Sequence, residues 1–176
     1  MQLLWVNLVT AILLGLTLVF EPREAGLMER PPRDPQEPIV SGLLVFRTGL
    51  VGVIMLVGGL ALFHYELGYE GLSLAQAQTT VVNVVVLTQA FYLLNCRSLS
   101  RSFFRLPLFS NPAIWAGIVA TVLVQLAMTY MPVFHRLFHT AAIPAVEWAR
   151  VLALGLATFV IIEFVKVVES YFTKKG

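Results

Sequence analysis

Five stretches of this chain run for about twenty mostly apolar residues, at about 2–20, 43–63, 76–95, 112–131 and 146–168. A helix rises about 1.5 Å per residue, so each is long enough to cross a hydrocarbon core about 30 Å thick. Each is also too long for a buried strand, and none alternates apolar with polar residues. Lipid offers the backbone no hydrogen bonds, so a segment in the membrane must satisfy its own N–H and C=O groups. The expected fold class is therefore all-α, a polytopic membrane helix bundle of five transmembrane helices. Composition agrees: 58% hydrophobic and 12% charged residues, against about 45–50% and about 25% in soluble domains. Five spans use up most of the 176 residues, so residues 1–176 are expected to form one transmembrane domain with no room for a large soluble one.

Charge placement sets the expected orientation. Arg23, Arg30 and Arg33 lie between the first two spans, Arg97, Arg101 and Arg105 between the third and fourth, and Lys174 and Lys175 in the tail. The stretch from His64 to Ser73 has no Lys or Arg, and that from Pro132 to Pro144 has only Arg136. The positive-inside rule then puts the three basic segments in the cytoplasm, the N-terminus outside and the C-terminus inside. No basic residue precedes the first apolar run, which argues against a signal peptide. A chain that begins inside a span is expected to be a fragment of a longer protein, and a bacterial plasma membrane is the expected location. Asn111-Pro112 reads as an N-cap followed by proline at the first helical position, and Pro144 marks the start of the last helix. Pro31, Pro32, Pro35 and Pro38 are expected to keep the first loop extended.

Few side chains could carry chemistry at membrane depth. Asn7, Thr10, Ala11, Leu14 and Thr17 fall at helical spacing, giving the first span one polar stripe. Amide and hydroxyl oxygens are neutral ligands that hard cations accept, and hydrogen bonding between helices is the commoner use of such groups. In the third span Gln89 and Tyr92 share a face with Cys96 a turn on, while Gln76, Thr80 and Asn83 form a second polar strip. Arg47 is expected to snorkel to the headgroups. Glu147 with Arg150, and Glu163 with Lys166, read as i,i+3 interfacial anchors. The pairs Gly49 and Gly52, and Gly58 and Gly59, mark expected close helix approach. His64, His135 and His139 have no carboxylate or Cys partner at ligand spacing, and the single Cys96 excludes an internal disulfide. No Asp-Lys-Thr-Gly-Thr run and no Gly-x-x-x-x-Gly-Lys-Ser/Thr phosphate cradle occurs, so these residues alone do not hydrolyse ATP.

Taken in order, several runs resemble the sixth to tenth helices of P-type cation-transporting ATPases, nearest the calcium and sodium/potassium pump branches. They are Leu4-Trp5-Val6-Asn7-Leu8-Val9-Thr10, Phe20-Glu21-Pro22, Met28 through Gly42, Phe46-Arg47, Asn95 to Ser100, Asn111 to Trp115 and Glu163 to Lys166. The resemblance implies a cation site built from oxygens on the fourth, fifth, sixth and eighth helices of a pump. Asn7 and Thr10 match ligand positions of the sixth helix. Gln89 falls where the eighth helix supplies a carboxylate in calcium pumps and a glutamine in sodium/potassium pumps. Ala11 departs from the pattern, occupying the place of the family's shared aspartate. Ile12 and Leu14 stand where calcium pumps have the glycine and proline that loosen this helix, so the first span is expected to run unbroken.

The implied function is the C-terminal membrane part of an ATP-driven cation transporter that supplies neutral oxygen ligands from Asn7, Thr10 and Gln89. No cofactor belongs to this chain; ATP and magnesium are implied for the full-length pump. Implied partners are the transported cation, the remaining domains of the parent pump and the lipid bilayer, with no nucleic acid. The segment from Glu21 to Ser41 is implied to contact the phosphorylation domain. Because every ligand offered is neutral, reduced site charge relative to a two-calcium pump is expected. The alternative is a stand-alone membrane scaffold or regulatory subunit without transport activity.

Overall fold

A computed structural model of the chain describes residues 1–22, 41–98 and 102–173, with side chains through Tyr171. The expectations for the prolines of the first loop, for Arg23, Arg30, Arg33 and Arg101, and for Lys174 and Lys175 lie outside the described residues. Among the described residues, five helices are long and apolar enough to cross a membrane. The first span, Gln2–Phe20, begins as α1 (Gln2–Val9), continues as a π-helical turn (Thr10–Leu14) and ends as a 3-10 helix (Gly15–Phe20). Then follow α2 (Gly42–Gly68), α3 (Leu74–Cys96), α4 (Pro112–Tyr130), the short α5 (Pro132–Phe138) and α6 (Ala145–Thr173). The boundaries fall within a few residues of expectation. Those of α2 and α6 extend furthest, because the polar residues at their ends continue the helix beyond the apolar run.

Capping explains where the helices begin. Ser41 accepts the Leu44 N–H at 3.2 Å. Ser73 and Gln76 form a capping box, the Ser73 hydroxyl accepting the Gln76 N–H at 3.3 Å and the Gln76 amide oxygen accepting the Ser73 N–H at 3.0 Å. Asn111 caps α4 through the N–H groups of Ala113 and Ile114, with Pro112 in the first turn as expected.

The helix α3 is the axis of the bundle, packed most extensively against α6 and α2. One core cluster joins the first span, α3 and α4 through Val6, Val9, Val82, Val86 and Met128. A second joins Leu14, Ala90, Leu93 and Ile114, and a third places Val84 and Leu87 against Val151 of α6. Burial of apolar residues on several sides of α3, such as Val82, Val84, Val86 and Leu93, suits such a central position. Its polar strip is internal too: Asn83 donates to the Thr129 hydroxyl of α4 at 3.2 Å.

Polar groups clamp both ends of the bundle. At the basic end Arg97 reaches both oxygens of Glu21, at 2.9 Å from Nη2 to Oε1 and 3.2 Å from Nε to Oε2, and donates to the Ser110 hydroxyl and the Pro107 carbonyl. Asn111 adds bonds to the Thr17 carbonyl and to Glu21. Glu163 accepts from Asn95, Lys166, Ser102 and the Phe103 N–H. At the far end Arg150 pairs with Glu147 and Glu70. That hydrogen bond holds the carboxyl of Glu70, in the turn after α2, below the usual carboxylate range. Glu70 is exposed, so the shift contributes little to stability.

The i,i+3 pairs Glu147–Arg150 and Glu163–Lys166 form as expected, whereas the reading of Arg47 is corrected. Arg47 is buried and paired with Glu169 of α6, so it does not snorkel to headgroups. Glu147, Glu163 and Lys166 are buried as well. Glu163 and Lys166 face inward because partners from outside α6 replace water, whereas Glu147 is paired with Arg150 of its own helix. The glycine expectations divide: a Cβ on Gly58 would lie 2.6 Å from the Leu154 side chain, whereas Gly49 and Gly52 have nothing within 4 Å. The stretch after α4 also departs from a plain loop. In it Pro132 opens α5, whose Phe134 and Phe138 rings lie 5.3 and 5.1 Å from Trp5. His139 ends α5 in the left-handed region at φ 55°, a role more often taken by glycine.

Candidate functional site

The first span carries the largest departure from regular geometry. From Thr10 to Leu14 the hydrogen bonds lengthen to the i→i+5 pattern, and the Gly15 N–H reaches back to the Thr10 carbonyl. The first span runs unbroken as expected, but its winding changes twice within 19 residues. No proline is needed. Two hydroxyls bond backward to carbonyls, Thr10 to Val6 at 2.9 Å and Thr17 to Leu14 at 2.6 Å, a pattern that bends helices. The wide turn also pushes the Leu13 carbonyl onto α4, where it meets Gly117; a Cβ there would lie 2.2 Å from that oxygen. π-Turns of this kind are frequent at functional sites.

Beside the π-turn lies a cavity of about 360 Å³ between the first span, α2 and α3. Thr10, Thr48, Gln89, Tyr92 and Cys96 supply its polar lining, with apolar walls such as Leu14 and Met55. Thr10 gives its hydroxyl proton to the Val6 carbonyl, which leaves oxygen lone pairs available to accept. Tyr92 lies within hydrogen-bonding reach of Thr48 and Cys96. All the side-chain oxygens lining the cavity belong to neutral hydroxyl and amide groups.

The three candidate ligands thus separate. Thr10 and Gln89 line one cavity although 79 positions apart in the sequence (89 − 10). Asn7 is exposed on another face of the first span, together with Ala11, and does not line that cavity. Thr48 was missed from the sequence; the available signal was a hydroxyl one position from Arg47 in an otherwise apolar run. Among the described residues no group of three or more His, Cys, Asp or Glu side chains is placed to hold a metal ion.

The family model "Cation transporting ATPase, C-terminus" matches residues 1–168. The chain belongs to this family of cation-transporting ATPases. It is 45% identical over 161 residues to "Probable cation-transporting ATPase F" of Mycobacterium tuberculosis, covering 92% of this chain and 18% of that protein. It is 32% identical over 165 residues to "Calcium-transporting ATPase" of Bacillus subtilis, covering 91% and 18%. Likeness to "Calcium-transporting ATPase type 2C member 2" of Homo sapiens is 26% over 171 residues, covering 97% and 18%. The chain therefore spans less than a fifth of the length of these relatives. As a C-terminal cation-ATPase region it is an integral, multi-pass membrane bundle, and its 176 residues hold neither the phosphorylation loop nor a phosphate cradle. Within this family region, the Arg97–Glu21–Asn111 cluster ties the end of the first span to the start of α4.

Proposed function

We propose that this chain is the C-terminal membrane part of an ATP-driven cation transporter, and that Thr10 and Gln89 are neutral oxygen ligands on its ion path. The observation that carries this reading is the cavity the two side chains share, set against a helix whose winding changes at Thr10. A π-turn turns backbone carbonyls out of the regular ladder, and transporters use such interruptions to present oxygens to ions. Asn7 enters the same reading as a ligand on the uncovered face of the first span, where oxygens from outside this chain complete the site.

Charge bounds what the site accepts. A cation taken from water into low dielectric loses solvation worth an idealised ~20 kcal/mol unless charged or dipolar groups replace it. Thr10, Gln89, Tyr92 and Asn7 supply dipoles only. Negative charge would come from the remainder of a longer polypeptide, and its absence from Ala11 favours a site of lower charge than a two-calcium pump. In this reading ATP and magnesium act in that remainder, the basic segments face the cytoplasm, and the Glu21–Ser41 segment contacts the phosphorylation domain.

The test is cation-stimulated ATPase activity of the full-length natural protein in lipid vesicles. Thr10→Ala and Gln89→Ala each raise the half-activating cation concentration about tenfold, equivalent to about 1.4 kcal/mol. Because the two side chains share a cavity, the double variant falls short of the product of the single effects. Unchanged cation dependence in both single variants overturns the assignment.

A further inference from the structure

The far end of the bundle holds a second polar cluster, away from the Thr10–Gln89 cavity. Glu66, in the last turn of α2, is fully buried, and neither of its carboxylate oxygens has a donor. Glu147 of α6 and Thr80 of α3, both also fully buried, lie beside it. Glu147 is half satisfied: Oε1 accepts from Arg150 Nη1 at 2.5 Å, while Oε2 has no donor. Arg150 is divided between two further groups, pairing with Glu70 and lying 4.9 Å over the Tyr65 ring. Thr80 donates to the Gln76 carbonyl at 3.2 Å and is the hydroxyl facing the pair from α3. The charged and titratable groups around Glu66 are thus Tyr65 and Glu70 from α2 and its turn, and Glu147 and Arg150 from α6.

Three orphaned oxygens in one dry contact have a common cause. Ionised carboxylates only accept hydrogen bonds, so two of them facing each other leave both unsatisfied and repel as well. With Arg150 shared with the exposed Glu70, two buried carboxylates against one guanidinium would also leave a surplus of negative charge where Glu66 and Glu147 are closed to water. We propose that Glu66 and Glu147 bind one proton between them, forming a proton site that bridges α2, α3 and α6. The proton sits on Glu66 and is donated to Oε2 of Glu147. The other Glu66 oxygen accepts from the Thr80 hydroxyl once that proton turns from the Gln76 carbonyl, and all three orphaned atoms then have partners. Binding is a reversible protonation of a carboxylate by water at the Gly68–Ser73 turn. A metal ion fits this place poorly, because the Arg150 guanidinium already occupies the adjoining carboxylate oxygen. The inference does not rest on the transport reading, since no residue of the cavity takes part.

Losing the proton places two like charges between α2 and α6. The folded state binds a proton that a water-exposed glutamate releases at neutral pH, so stability falls as pH rises. The experiment is infrared spectroscopy of the full-length natural protein in lipid vesicles, with thermal unfolding followed from neutral to alkaline pH. The wild type shows the carbonyl stretch of a protonated carboxyl at neutral pH, and Glu66→Gln loses it. The glutamine amide donates to Glu147 in place of the acid, so this variant keeps wild-type melting at neutral pH and no longer loses stability on alkalinisation. Should Glu66→Gln fail to fold, Thr80→Val removes the hydroxyl from the acid's second oxygen and shifts the band. Absence of the band in the wild type overturns the proposal, as does the same band in Glu66→Gln or an unshifted one in Thr80→Val. Loss of the wild-type band on adding sodium, potassium or calcium at constant pH also overturns it, since the occupant would then be a cation.

Discussion

Glu163 shows how a charge is held inside an apolar bundle. Its Oε1 accepts from Asn95 at 2.8 Å and Lys166 at 3.1 Å, and its Oε2 from Ser102 at 2.6 Å and the Phe103 N–H at 3.0 Å. Lys166 also donates to the Asn95 carbonyl at 2.5 Å. Single polar contacts between membrane helices contribute only about 0.6 kcal/mol on average, but removing one partner of a buried pair costs about 3–5 kcal/mol because the other charge is stranded. The second effect governs here, since Lys166 is itself buried. Glu163→Ala is therefore expected to lower unfolding free energy by about 3–5 kcal/mol, and the double variant with Lys166→Met to recover part of the loss. Unfolding in mild detergent measures both, and a single variant within about 0.5 kcal/mol of wild type would discard the network argument. The i,i+3 spacing of the pair was visible in the sequence. Its burial was not, because Asn95 and Ser102 arrive from 68 and 61 positions away.

Among the elements, small residues decide how closely helices meet, and their positions give contrasting expectations. Gly117 receives the Leu13 carbonyl at the π-turn, and Gly155 of α6 receives the Phe91 ring of α3, 2.5 Å from where a Cβ would lie. Gly52 borders the cavity and has nothing within 4 Å. Gly117→Ala is expected to destabilise by about 1–3 kcal/mol through overpacking. Gly52→Ala is expected to be neutral or to stabilise by up to about 1 kcal/mol through helix propensity. Thermal melting of the two variants compares them directly, and equal effects would reject the packing assignment. All five spans were legible from apolar length alone, since lipid leaves the backbone few alternatives. Which glycines touch a neighbour was not, because rotation of a helix about its axis is fixed by partners far away in sequence. Similarly, α5 escaped detection because seven residues are too few to register as a span, although Met131-Pro132 carried a start signal.

For the molecule as a whole, the informative surface is the uncovered side of the first span. Leu4, Leu8, Ile12 and Leu16 are 69%, 55%, 49% and 56% exposed, with Asn7 and Ala11 among them. The resemblance made Asn7, Thr10 and Gln89 visible as candidates, but only three-dimensional packing separates Asn7 from the other two. Ala11 lies on that uncovered side, and Ala11→Asp distinguishes the two environments the surface can meet. If oxygens from the rest of a longer polypeptide converge there, the new carboxylate joins an ion site. The full-length protein then folds in wild-type yield, and the ratio of its half-activating concentrations for divalent and monovalent cations moves about tenfold or more toward divalent ions, about 1.4 kcal/mol. If the surface meets lipid, a charge near the bilayer centre costs about 2.5–3.5 kcal/mol on insertion, so yield falls while the cation ratio of the surviving protein stays unchanged. The reading of Asn7 as a ligand requires the first result. The second would detach Asn7 and Ala11 from any ion path and leave the Thr10–Gln89 cavity, on another face, to the test of its own variants.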